Sequence, residues 1–131
     1  MADQENIKPL TDQHRRDAQD EASMALGKAW GLAETLNFHT GERPGEFDIE
    51  GVMRVVLSLV KQAREKMVEG SIQWQEIGAA LAVCDLVLVD SQEAGHEPLS
   101  PSVWALEAVP SAIQRAKDAV DAVPWGLPKA A

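Results

Sequence analysis

Between Ile49 and Met67 apolar side chains return every three or four residues: Ile49, Val52, Val56, Leu59, Ala63 and Met67, with Met53 and Val60 widening the stripe. That period places side chains on one face of an α-helix and is incompatible with a strand, whose faces alternate at every residue. Asp48 stands where a helix N-cap is expected, and Phe47 is positioned to pack on Val52 as a hydrophobic staple. Gly70 ends this segment and Ser71 caps the next. A helix over about 49–69 is therefore the clearest element of the chain.

The same period recurs on both sides of it. Thr11 precedes a helix expected to run to about Phe38, with Asp12 and Asp17 favourably placed near its positive end. Its seam is Ala18, Ala22, Ala25, Ala29, Leu32 and Leu36, with a second apolar edge of Leu26, Trp30 and Ala33, and Gly41 as C-terminal cap. Residues 72–93 place Trp74, Ile77, Leu81, Cys84, Leu88 and Ser91 on one face. The short connection from the preceding helix predicts an antiparallel helical hairpin at the centre of the fold. Ser100-Pro101 begins a short fourth helix that Pro110 is expected to interrupt, and a fifth over 111–123 shows Ile113, Ala116, Val120 and Val123.

Ala82-Val-Cys-Asp-Leu-Val-Leu-Val-Asp90 also resembles a buried strand ending in an acid, as in doubly wound phospho-acceptor domains. A parallel sheet needs several strands alternating with helices, and no other segment reads as one. The expectation is thus an all-α bundle of four to five helices. Residues 11–123 form its single domain, 1–10 are a polar lead-in, and 124–131 are a tail containing Pro and Trp.

Composition narrows the function. The 131 residues are 45% hydrophobic and 25% charged, enough for one core. A formal charge of −9 argues against nucleic-acid binding, where Lys and Arg neutralise phosphates. The single cysteine, Cys84, leaves no internal disulfide and suits a reducing, cytoplasmic setting. The first residues lack the basic and apolar regions of a secretory signal. The weakly polar run Ile77–Val89 falls short of the roughly 20 residues of a membrane span, so no membrane partner is expected.

His39-Thr40-Gly41-Glu42-Arg43-Pro44 resembles the linker between tandem zinc fingers of the two-cysteine, two-histidine class. Zinc in that class needs four ligands. Here the one cysteine lies far downstream, and Thr35 stands where a second histidine belongs. The six-residue match implies a helix ending at a glycine. His14, His39 and His96 show no metal-ligand spacing, and the glycines form no phosphate loop. Cys84 falls on an apolar face with no base supplied nearby. Asp85 borders the same face, where Arg54 or Lys61 could pair with it.

No catalytic residue, cofactor or metal is expected. Charge is unevenly placed: residues 51–66 carry Arg54, Lys61, Arg64 and Lys66 against Glu65, a local +3, while 85–114 carry five acids and no Lys or Arg. The four tryptophans are Trp30, Trp74, Trp104 and Trp125. The expected function is non-enzymatic protein–protein interaction or self-association, with Ala18, Ala22, Ala25, Ala29 and Trp125 as contact residues. Size and composition are similar to those of small accessory or inhibitor proteins of bacteria and phages. The alternative is a ligand-binding or enzymatic bundle whose site is assembled from separate helices.

Overall fold

The computed structural model describes residues 12–94 and 104–122. They form four helices: α1 (Asp12–Glu42), α2 (Ile49–Glu65), α3 (Ile72–Ala94) and α4 (Ala108–Asp121). No strand occurs among the described residues, and Ala82–Asp90 is helical throughout. The helices pack in a ring. α1 lies against α2 and α4, and α3 closes the other side against the same two. The core sits inside the ring, drawn from one stripe of each helix and from Leu106.

Local chemistry sets the starts of α2 and α3. Asp48 accepts a hydrogen bond from the Gly51 amide at 2.8 Å, which satisfies one unpaired donor of the first turn of α2. Asp48→Ala is expected to cost about 1 kcal/mol, measured by chemical denaturation; an unchanged midpoint would show that the cap contributes nothing. Gly70 takes φ +84°, a left-handed conformation that suits glycine, and ends the 66–71 connection. Ser71 then caps α3, its Oγ accepting from the Trp74 amide at 3.2 Å.

Two expected ends move. α1 continues past Gly41 to Glu42, and the turn glycine is Gly45, with φ +83°. Pro110 does not interrupt a helix. It is the third residue of α4, inside the first turn, where the missing amide hydrogen has no intrahelical partner to lose. Of the short helix expected before it, Trp104 and Ala105 are helical, and residues 95–103 lie outside the described residues. The stretches 1–10 and 124–131 and the residue Val123 lie outside them as well.

The inner faces follow helical spacing, with some shift of phase. α2 buries Ile49, Met53, Val56, Val60 and Ala63, while Val52 and Leu59 are only half-buried. α3 buries Ile77, Ala80, Leu81, Cys84, Val87 and Leu88, together with Ser91. α4 buries Val109, Pro110, Ile113, Ala116 and Val120. α1 presents Ala22, Leu26, Ala29, Ala33 and Leu36, and its small alanines let α2 and α4 approach its axis. Gly31, inside α1, has no heavy atom within 4 Å of where a Cβ would stand. Gly31→Ala should therefore stabilise the fold by about 0.5–1 kcal/mol through helix propensity. A lower melting temperature would contradict this.

Candidate interaction surface

The residues singled out on α1 divide into two groups. Ala22 and Ala29 are fully buried in the core, so this half of the seam is occupied by the protein's own helices. Ala18 and Ala25 are half-buried. Ala25 lines a groove of about 330 Å³ between α1 and α2, with Met24, Lys28, Leu59 and Gln62. Glu21 and Lys66 also line it, and they pair with each other at 2.8 Å. Trp125 lies outside the described residues.

Among the described residues the polar candidates do not converge. His14 is exposed, and His39 is half-buried between the rings of Phe38 and Phe47 at centroid distances of 5.2 and 5.8 Å. His96 lies outside the described residues. Among the described residues no three of His, Cys, Asp and Glu are placed to share a metal ion. The anticipated partly buried ion pair at Asp85 is absent. Asp85 is exposed, and Arg54 instead bonds Glu50 one turn back on its own helix at 2.6 Å. The groove between α3 and α4, about 420 Å³, is lined by Glu76, Ala79, Ala80, Val83, Ser111, Ala112 and Arg115. Its two charges, Glu76 and Arg115, are 2.9 Å apart and neutralise each other.

Cys84 is fully buried, and desolvation pushes its thiol from an ordinary 9.0 up to about 12. A thiol this reluctant to ionise is a poor nucleophile. Native protein at pH 8 should resist thiol reagents and react only on unfolding; labelling faster than free cysteine would reverse that conclusion. Folding raises this pKa, so the thiol's contribution to stability is complete below about 9 and is lost as pH climbs toward 12. A stability curve flat across that range would contradict the burial.

The feature that stands out is the side of α3 turned away from the ring. Ile72, Gln75, Ala79, Ala82, Leu86, Val89 and Glu93 recur at alternating steps of three and four, and every one is exposed. Ile72 and Leu86 are each 71% exposed. No family model, curated protein or solved structure matches the chain. The surface must therefore be read from its own chemistry.

α3 is apolar nearly all round. Its stretch Ile72–Glu93 has a mean hydropathy of 1.4 and is long and apolar enough to cross a membrane by length and composition, although only 33% of that window is buried. A helix apolar on all sides normally has every side covered. Here α2 and α4 cover the inner side, and no described residue covers the outer one. Between Ile72 and Val89 the row is broken by polar Gln75 alone, whereas on α1 the exposed Met24, Trp30, Leu32 and Phe38 are interspersed with Lys28, Glu34 and Thr35. Sequence reasoning found the inner face of α3 and overlooked the outer one. The available signal was the absence of any charged face on a long helix, rather than a motif.

Proposed function

We propose that this is a small non-enzymatic helical protein, accessory or inhibitor-like, that works in the cytoplasm through protein–protein contact made by the outer face of α3. The observation that carries this reading is the exposed heptad stripe from Ile72 to Val89. Apolar rows of this length on soluble proteins mark interaction sites. In this reading α2 and α3 form an antiparallel hairpin, and the ring serves as a rigid mount for its outer side. The contact lies on α3 rather than on the alanine seam of α1, because Ala22 and Ala29 are already buried.

The reading carries two tests. A photo-reactive residue placed at Ala82 in the producing cells should give a discrete protein adduct, and one placed at the exposed Ser58 of α2 should not. Equal labelling from both positions, or none from Ala82, would remove the reading. Duplex DNA should not bind at physiological salt, given a net charge of −9. Binding that weakens steeply with added salt would report phosphate neutralisation and contradict it.

A further inference from the structure

We propose that the occupant of α3's outer face is a second copy of this chain, paired antiparallel about a two-fold axis that passes between Ala79 and Ala82. The inference rests on the reading of α3 as the contact face and adds the identity and direction of the partner.

In an antiparallel pair of heptad stripes, each position of one kind faces a position of the other kind. Centred between Ala79 and Ala82, this sets Ala79 opposite the partner's Ala82, Gln75 opposite the partner's Leu86 and Ile72 opposite the partner's Val89. Small side chains meet at the axis, where the helices approach most closely. Larger ones meet toward both ends, where they can fill the space left as the helices diverge. A surface that complements itself in this way satisfies the requirement of a two-fold interface, in which the same patch serves both partners.

α3 carries Glu76, Asp85, Asp90 and Glu93 and no Lys or Arg, so its own acids are weighted toward its C-terminal half. Cations reach its N-terminal half from the neighbouring helices. The Arg64 guanidinium lies 4.9 Å over the Trp74 ring, with a nitrogen 3.7 Å from the position of a Cβ on Gly78. Arg115, whose side chain is 78% exposed, reaches Glu76 from the other side. Asp85 is exposed on the same edge as Gly78, two helical turns further on. Antiparallel pairing about the axis brings each edge against the same edge of the partner in reverse. Arg64 then faces the partner's Asp85, and the contact occurs twice. Parallel pairing would instead set acidic end on acidic end. The charge gradient along the face therefore selects the antiparallel direction.

The test uses the full chain. Sedimentation equilibrium through the micromolar range should give the mass of a dimer, and Ala82→Arg should give a monomer with an unchanged circular dichroism spectrum. Because Ala82 is exposed in the monomer, the fold has no reason to fail; Leu86→Glu provides the same test at a second exposed position. Direction is read by cysteine pairing, with the buried Cys84 outside the reaction. Ile72→Cys mixed with Val89→Cys should cross-link on oxidation, and Ile72→Cys alone should not. A wild-type chain that is monomeric throughout, a dimer that survives both Ala82→Arg and Leu86→Glu, or cross-linking of Ile72→Cys with itself would each overturn the proposal. A monomeric chain that still forms an adduct with a different protein from Ala82 would retain α3 as the contact face while rejecting self-pairing. A monomer with no adduct would reject both.

Discussion

Ala29→Arg should leave no folded protein, whereas Ala25→Arg, one helical turn away, should fold. Ala29 is fully buried on the inner face of α1, where a guanidinium would have neither water nor an acid to meet. An unpaired buried charge costs several kcal/mol, a large part of the 5–15 kcal/mol or so that holds a domain of this size together. Ala25 is half-buried at the mouth of the α1–α2 groove, beside Glu21, so a long cation there can extend into solvent. Its cost should stay near the ordinary surface range of about 0.5 kcal/mol. Far-ultraviolet circular dichroism and a thermal melt of each variant decide the matter. A folded Ala29→Arg would mean that α1 does not turn this face to α2 and α4. An unfolded Ala25→Arg would mean that the groove is closed.

That pair of variants also shows why α1 was the hardest helix to orient from sequence. The expected seam, Ala18-Ala22-Ala25-Ala29-Leu32-Leu36, and the observed inner row, Ala22-Leu26-Ala29-Ala33-Leu36, share every second member. Both rows have helical spacing, and alanine contributes too little apolar area for one to outweigh the other clearly. The neighbours decide the phase. α2 was easier because valine, isoleucine and methionine fall on one side and charges on the other. The caps at Asp48 and Ser71 were legible for a related reason: each acts within three residues of itself. Pro110 was not, because a proline breaks a helix or opens one according to where the first turn begins. Here the helix begins at Ala108, so Pro110 falls within its first turn.

The candidate surface was illegible for a different reason. Apolar residues on α3 imply that something must cover them, but a sequence does not say whether the cover comes from the same chain. Cys84 and Leu88 are covered by the bundle, and Leu86 and Val89, on the same helix, are not. Charge offered little help. Asp85 looked like half of an interhelical ion pair, yet Arg54 reaches a nearer partner on its own helix at lower cost in side-chain entropy. Two ion pairs that do link different helices, Glu21 with Lys66 at the end of α2 and Glu76 with Arg115, each leave at least one partner well exposed and contribute little to stability. Glu76 holds Arg115, and the Trp74 ring holds Arg64, toward the N-terminal end of α3, which becomes meaningful only when the outer face is considered as a whole.

Leu81→Ala and Leu86→Ala remove the same atoms from opposite sides of α3 and should differ by several-fold in effect. Leu81 is 7% exposed within the core, so its truncation should cost about 2–5 kcal/mol, transfer and cavity together. Leu59, half-buried at the groove edge, should cost less than Leu81. Leu86 is 71% exposed in the monomer and, measured at high dilution, should cost below about 0.5 kcal/mol. Denaturant titration gives both values, with unchanged slopes showing that the unfolded states are comparable. Concentration then separates packing from association. A binding partner that recognises only the folded form adds stability by mass action, so a contact at Leu86 between copies makes its truncation costlier as the protein is concentrated, while the cost at Leu81 stays constant. A Leu86→Ala penalty that is small at every concentration would show that Leu86 contributes nothing to pairing. One that is large at every dilution would place Leu86 in the core of the monomer.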